Sequence, residues 1–236
     1  MSSINVACID LFNTLVSVGR VPETVGRFTA DILGIERQRW NEACFGPVHE
    51  ICRPTDALET LTRIAHSLDP DIPRALIKEA VRERQQRFDY ALIHVSTPVL
   101  HALELLREKG IRLALISNAS SSEVAAWSAS PLSGLFEVVT FSCHSACMKP
   151  QAEIYSKTVR QLGVLPEDSL FVGDGGSEEH HGAHAVGMKP VLVTHFISAQ
   201  ERQARLKKYA HVLAGVVQDF YDLHAQWDEL TTQGMV

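Results

Sequence analysis

Polar residues of complementary chemistry stand where short apolar segments of this chain end. The segment INVACID (residues 4–10) ends on Asp10, and RLALISN ends on Ser117 and Asn118. Lys149 follows a third apolar segment, in CMKPQ, and Asp174 follows a fourth, SLFVG. A carboxylate nucleophile, a hydroxyl, an amide and an ammonium together suit the transfer of an anionic group. Two acidic positions on neighbouring strands also suit a hard divalent cation.

These side chains meet only if the apolar segments are strands of one parallel sheet. Nearly uniform apolarity predicts buried strands at residues 4–9, 112–117, 138–142, 169–173 and 190–195. Helical patterns at 98–110 and 151–163 lie between them, and each ends on a glycine. This alternation predicts an α/β fold with a Rossmann-like doubly wound parallel sheet. In such a sheet the carboxyl ends of the strands form the ligand crevice.

The segment from 18 to 93 departs from the alternation, because it contains no convincing strand. Amphipathic patterns at about 22–33, 36–45, 55–67 and 73–89 predict an all-helical insertion. We therefore expect a catalytic core formed by residues 1–17 and 94–236 and a helical cap formed by 18–93. The tail predicts a basic helix, an edge strand near 211–213 and a closing helix.

The composition of the chain limits the kinds of partner it could bind and indicates its cellular compartment. A net charge of −6 argues against nucleic acid or an anionic membrane surface as the main partner, and it leaves room for a small anionic substrate. The N-terminus lacks a secretory signal pattern, and no apolar run has the length of a bilayer span. Five cysteines without framework spacing indicate a reduced, cytoplasmic protein. We expect a monomer or a homodimer.

The order of the polar residues resembles the haloacid dehalogenase-like (HAD) superfamily. The pattern runs from Asp10-x-x-x-Thr14 through Ser117 and Lys149-Pro150 to Gly173-Asp174. Its motifs cover nearly the whole chain, and the helical insertion looks like that family's C1-type cap. The resemblance implies that Asp10 attacks the substrate and becomes a covalent ester, while Ser117 and Lys149 bind the transferred group or steady the nucleophile.

The same resemblance implies a magnesium site in the phosphatase branch of the family. Asp10, the backbone carbonyl of Phe12 and Asp174 would be ligands, together with Glu178 or Glu179 as the second acidic group of the loop. The spacing allows either glutamate to be this second ligand. Phe12, Thr14 and Asn118 would contact the substrate, and the Thr14 hydroxyl would support the loop after Asp10 unless it is only a β-branched turn residue.

Phe12 separates the possible reactions. Most phosphatases of the family have an aspartate here as general acid and base, a role that phenylalanine cannot take and that is typically worth about 10²–10⁴-fold in rate. The dehalogenase branch usually has an aromatic residue, because a halide leaves without a proton. The loop GDGGSEE (residues 173–179) instead looks like a magnesium loop. A full acidic site is costly without a cation, which favours the phosphatase.

Three functions follow in order of preference. The first is a magnesium-dependent phosphatase acting on a small phosphate ester. The second is a metal-independent 2-haloacid dehalogenase, whose characteristic cap arginine would be one of Arg20, Arg37, Arg39 or Arg53. The third is a catalytically weak binding or regulatory module. We interpret the histidines at 180, 181 and 184 as a solvated helix face rather than as metal ligands.

Overall fold

Six parallel strands form the sheet that the sequence predicts. The computed structural model describes residues 4–46 and 48–232. Within them the strands are β1 (Val6–Ile9), β2 (Arg112–Ser117), β3 (Val138–Phe141), β4 (Ser169–Gly173), β5 (Lys189–Val193) and β6 (Gly215–Val217). Their order is β3-β2-β1-β4-β5-β6, and every neighbouring pair is parallel. The expected open, doubly wound sheet is therefore confirmed.

Helices cover both faces of this sheet. One face packs α5 (Thr97–Glu108) and α10 (Phe220–Thr232), and the other packs α7 (Ala152–Leu162) and α8 (Glu179–Ala185). A short α6 (Ser142–Ser145) follows β3, and α9 (Ala199–Tyr209) follows β5. Residues of β1 alternate between the two apolar clusters: Ala7 and Ile9 lie in one, and Val6 and Cys8 lie in the other. A strand covered on both faces must be apolar throughout, which explains the run before Asp10.

The insertion after β1 is helical and has an apolar cluster of its own. It contains α1 (Thr29–Leu33), α2 (Arg37–Cys44), α3 (Ala57–Leu68) and α4 (Arg74–Ile93). Trp40, Leu61, Ile64 and Ile77 are buried together in this cluster. The last helix ends one residue before the expected return to the core at residue 94. The division into a core and a cap at these boundaries stays a prediction.

Two predicted elements differ from the structure. The expected helix at 22–33 forms only at Thr29–Leu33, because the backbone carbonyls of Val21 and Gly26 accept hydrogen bonds from the buried guanidinium of Arg87. The edge strand expected near 211–213 forms instead at Gly215–Val217. Val212 and Leu213 are held in a turn, since their N–H groups donate to the carbonyl of Tyr209.

Candidate active site

Asp10 lies at the carboxyl end of the central strand of the sheet. Its N–H donates to the carbonyl of Val172 at 2.9 Å, which extends the β1–β4 pairing to the carboxylate-bearing residue. The side chain is 5% exposed. The Thr14 hydroxyl donates to Asp10 Oδ2 at 2.9 Å and accepts from the N–H of Asp174 at 3.1 Å. Thr14 therefore uses its hydroxyl to join two of the loops that carry the site, and it is fully buried.

Lys149 is the ammonium that the sequence predicts close to Asp10. Its Nζ lies 2.5 Å from Asp10 Oδ1 and 2.6 Å from Glu179 Oε2, with the side chain 2% exposed. The amide of Asn118 positions it, because Asn118 donates to the Lys149 carbonyl at 2.9 Å and accepts from the Lys149 N–H at 2.8 Å. The two carboxylates raise the pKa of the Lys149 ammonium although burial opposes the charge.

The loop after β4 brings Asp174 and Glu179 to the same place. Asp174 Oδ1 accepts from the N–H of Gly176 at 3.1 Å, and Glu179 Oε1 accepts from the N–H of Gly175 at 2.8 Å. A Cβ on Gly173 would lie 2.3 Å from Glu179 Oε1, so only glycine lets this carboxylate approach. The positive φ of Gly175, 85°, turns the chain back towards α8.

Three buried carboxylates form a cluster that fits a divalent cation. Asp10, Asp174 and Glu179 each offer an oxygen, and these oxygens lie within 4.8 Å of one another. Burial raises the pKa of Asp174 to about 6, and it also raises the pKa of Glu179; the nearby Asp10 carboxylate raises both further. Mutual repulsion of buried carboxylates is relieved when a hard cation binds. The donor set therefore suits magnesium.

The structure distinguishes Glu178 from Glu179, either of which could be the second acidic group according to the sequence. Glu178 points away from the cluster: its carboxylate pairs with the Lys208 ammonium and lies 2.9 Å from His181 Nδ1. Glu178 is half exposed, whereas Glu179 is buried. Both Ser177 and Glu178 have positive φ, and this left-handed turn directs the neighbouring side chains to opposite sides. Glu179 is consequently the geometric candidate for the second acidic group.

Other predicted residues lie near the site without contacting its cavity. Ser117 ends β2 and is buried, and its hydroxyl has no hydrogen-bond partner among the described residues. His180 is fully buried rather than solvated, packed edge-on against Phe171 and Tyr209. Burial lowers the pKa of His180 to about 3, so the ring is neutral. The expectation of a solvated histidine face is therefore wrong for His180. Of the three histidines at 180, 181 and 184, only His184 is exposed.

A cavity of about 790 Å³ opens between the carboxylate cluster and the helical insertion. Asp10, Lys149, Asp174 and Glu179 lie on its wall. Apolar and aromatic side chains line much of the rest of the cavity, among them Phe12, Val18, Phe28, Trp40, Ile51 and Phe88. The Phe12 ring meets the Phe88 ring edge-to-face with centroids 5.3 Å apart. Phe12 therefore contributes an aromatic surface rather than a titratable group.

The cap arginines proposed from the sequence have different positions. Arg37 lines the cavity, where it pairs with Asp31 at 2.5 Å. Arg20 donates to the His195 carbonyl, Arg39 donates to the Leu68 carbonyl and Arg53 lies 3.5 Å from Glu50, and none of these three lines the cavity. Only Arg37 among the four is thus in a position to face a substrate.

Arg205 is a functional candidate that the sequence patterns do not indicate. It lies on α9, whose basic sequence predicts a solvated helix, yet its Nη2 is 3.4 Å from Asp174 Oδ2 and it lines the cavity. The contact spans 31 positions of sequence and depends on how α9 packs against the loop after β4. A sequence signal for it does not exist, since Arg205 is one of four basic residues of this helix, with Arg202, Lys207 and Lys208, and no neighbouring residue distinguishes it.

With this geometry established, comparison with known proteins identifies the family. Residues 4–187, which are most of the chain, match the haloacid dehalogenase-like hydrolase family. The chain therefore belongs to the haloacid dehalogenase-like hydrolase family, as the motif order predicts. Among the helices that the structure describes, none combines the length and apolarity that crossing a bilayer requires.

The curated relatives include phosphatases. The chain is 30% identical over 116 residues to a glyceraldehyde 3-phosphate phosphatase of Methanothermobacter thermautotrophicus, a match that covers 48% of this chain and 50% of that protein. A protein of the same name from Methanopyrus kandleri is 29% identical over 128 residues, covering 53% of each. The chain thus spans about half the length of these two relatives.

Solved structures share the fold over nearly the whole chain. An L-2-haloacid dehalogenase from Xanthobacter autotrophicus with chloropropionic acid covalently bound aligns with a TM-score of 0.68 and 19% identity, covering 99% of this chain and all of that one. A HAD phosphatase from Thermococcus onnurineus aligns with a TM-score of 0.62 and 20% identity, covering 96% and 98%. These similarities establish the fold and do not distinguish the two reactions.

Proposed function

We propose that this protein is a magnesium-dependent phosphatase that hydrolyses a small phosphate ester, with Asp10 as the nucleophile. The observation that carries the proposal is the cluster of three buried carboxylates around one lysine. The Lys149 ammonium and the partly exposed Arg205 guanidinium balance only part of this charge, so a further cation is favoured there. The names of the curated relatives support phosphate-ester chemistry over halide displacement.

Each side chain has a role in this reaction. An oxygen of Asp10 would attack phosphorus and form an aspartyl phosphate while the P–O bond to the leaving group breaks; water would then hydrolyse the ester and restore the carboxylate. Lys149 and Thr14 hold Asp10 in one orientation through hydrogen bonds to different oxygens. Magnesium bound by Asp10, Asp174 and Glu179 would neutralise charge on the phosphoryl group. The buried Ser117 hydroxyl would bind a phosphoryl oxygen after a small rearrangement.

The leaving oxygen has no proton donor at Phe12. Of the described side chains, only the Thr14 hydroxyl and the Lys149 ammonium bond to Asp10. Lys149 is a poor acid, because its two carboxylate partners raise its pKa. The leaving group would therefore take its proton from water, which favours esters of relatively acidic alcohols.

The decisive experiment is phosphate release from a broad phosphomonoester panel. Asp10→Asn should lower kcat/KM by about 10³-fold or more, because the neutral amide is a poor nucleophile. Chelation should abolish turnover by the unaltered protein, and added magnesium should restore it. Circular dichroism of Asp10→Asn would establish that the fold is retained. Turnover that persists in chelator would contradict the magnesium requirement.

A second candidate, metal-independent dehalogenation of a 2-haloacid, is favoured by one observation. The Phe12–Phe88 aromatic wall beside Asp10 suits a leaving group that needs no proton. Halide release from 2-haloacids in the presence of chelator, lost in Asp10→Asn, would support it. Absence of both phosphate and halide release, with inorganic phosphate still bound, would instead support a binding module.

A further inference from the structure

Arg205 has no role in the chemistry described above, although it lies on the wall of the active-site cavity. Its guanidinium is 3.4 Å from Asp174 Oδ2, and its side chain is 23% exposed. The other acidic neighbour that acts on it electrostatically is Glu201, one helical turn earlier on α9. The Arg205 side chain is thus mostly buried but remains partly open to the cavity.

The fold holds the base of this side chain in a defined place. The Tyr209 hydroxyl donates to the Gly175 carbonyl at 2.8 Å, which anchors the end of α9 on the loop after β4. A Cβ on Gly175 would lie 2.9 Å from both Arg205 Cδ and Tyr209 Cε2. At the other end of α9, Ser198 and Glu201 form a capping box. Arg205 therefore approaches Asp174 because helix and loop are packed closely.

The charges around the cluster explain what Arg205 does there. Lys149 bonds to Asp10 and Glu179 and leaves Asp174 as the carboxylate without an ammonium partner. Among the described residues, Arg205 is the cation that pairs with Asp174. Two basic side chains thus offset part of the charge of the three buried carboxylates.

We propose that Arg205 is a counter-cation that competes with magnesium for Asp174 and, once displaced, binds the anionic group of the substrate. This inference rests on the proposed function. A divalent cation at Asp174 repels the nearby guanidinium, while the substrate phosphoryl group attracts it. The planar fork of donors on Arg205 matches phosphoryl oxygens. Its long stem can move into the cavity while Tyr209 keeps α9 in place.

The test compares Arg205→Gln with Arg205→Lys and with Lys208→Gln. Lys208 is a basic residue on the same helix that pairs with Glu178 outside the carboxylate cluster, so its substitution is the matched control. Magnesium binding is measured by thermal shift and calorimetry at pH 8 without substrate. Binding of inorganic phosphate to the magnesium-loaded protein is measured in the same way.

Removal of the charge should have opposite effects on the two ligands. In Arg205→Gln the magnesium Kd should fall by about threefold to tenfold, because a competing cation is gone. The phosphate Kd should rise by about tenfold, the loss expected for a charge-assisted hydrogen bond. Arg205→Lys should retain the unaltered magnesium affinity, and Lys208→Gln should change neither constant.

Each contrary result has a distinct meaning. Magnesium binding that is unchanged or weaker in Arg205→Gln would overturn the competition. Phosphate binding that is unchanged would overturn the substrate role. If the unaltered protein bound no magnesium at all, the proposed function itself would fail, and this inference would fail with it.

Discussion

Asp10 meets a different donor at each carboxylate oxygen. The Thr14 hydroxyl orients Oδ2, and the Lys149 ammonium offsets the charge at Oδ1. Thr14 also accepts a hydrogen bond from the N–H of Asp174, so a single hydroxyl links Asp10 to the loop after β4. At the residue scale the site is therefore defined by hydrogen bonds that cross between loops. Phe12 is the residue that departs from the phosphatase pattern.

Replacement of Phe12 should reveal how much its missing proton donor costs. We expect Phe12→Asp to raise kcat/KM for alkyl phosphates by about tenfold or more, because a carboxyl beside the leaving oxygen can protonate it. Aryl phosphates with acidic phenols should change little, since their leaving groups need no proton. Steady-state phosphate release on both substrate classes measures the difference.

Phe12→Leu is the matched control for this substitution, because it removes the ring without adding an acid. If Phe12→Asp and Phe12→Leu behaved alike on alkyl phosphates, the leaving group would obtain its proton elsewhere in the cavity. The edge-to-face contact with Phe88 is lost in both variants, so its contribution cancels in the comparison.

The loop between β4 and α8 acts as one structural element. Glycines at 173, 175 and 176 keep its backbone close to the carboxylates, and positive φ at Ser177 and Glu178 turns the chain so that Glu179 points inwards. Tyr155 adds a further restraint, because its hydroxyl donates to the Glu179 carbonyl at 2.8 Å. Of the two adjacent glutamates, this loop thus directs Glu179 towards the carboxylate cluster and Glu178 away from it.

Isosteric substitution of the two glutamates should show this selection. We expect Glu179→Gln to weaken magnesium binding by about tenfold or more, because a buried anionic oxygen beside the cation is lost. Glu178→Gln should leave magnesium binding unchanged, since its carboxylate pairs with Lys208 and His181 at the surface. Calorimetric titration of each variant makes the comparison, and equal losses in both would refute the assignment of Glu179.

At the scale of the molecule, the helical insertion and the sheet domain meet through buried polar contacts beside the cavity. Arg84 of α4 lies 2.5 Å from Glu123, which follows β2. Burial opposes ionisation of Glu123, yet Arg84 and His49 hold its pKa below the usual range. Gln85 also donates to the Ser122 carbonyl at 2.8 Å. These contacts hold α4, which carries Phe88 of the cavity lining, against the segment that follows β2.

The free energy of unfolding should depend on pH through the ionisation of the buried carboxylates in the site. Burial raises the pKa of Asp174 from its ordinary 3.8 to about 6, so the folded protein holds this proton more tightly than the unfolded chain does. That contribution to stability is fully present below pH 3.8 and is lost as the pH rises through 6. Magnesium binds the ionised carboxylates, so its stabilising effect should grow with pH.

Melting temperatures with chelator and with magnesium measure this effect. At a hundredfold excess over Kd we expect magnesium to raise the melting temperature by about 5 °C or more at pH 8. At pH 5 the increase should be much smaller, because protons compete for the same oxygens. An increase that is equal at both values of pH would show that the cation binds elsewhere.

The sequence by itself determined the sheet and the residues at its edge. Uniformly apolar segments can be buried on both faces only as central parallel strands, so Asp10, Lys149 and Asp174 had to converge at their carboxyl ends. The motif order then indicated the family. Such features depend on local composition and on connections along the chain, and they can be seen without coordinates.

The tertiary structure alone decided the remaining features of the site. The choice of Glu179 over Glu178 depends on backbone turns that no side-chain pattern encodes. The burial of His180 and the approach of Arg205 depend on how α9 packs against a loop 31 residues away in sequence. Contacts between distant segments are set by the three-dimensional packing of whole elements, and a local pattern carries no signal of them.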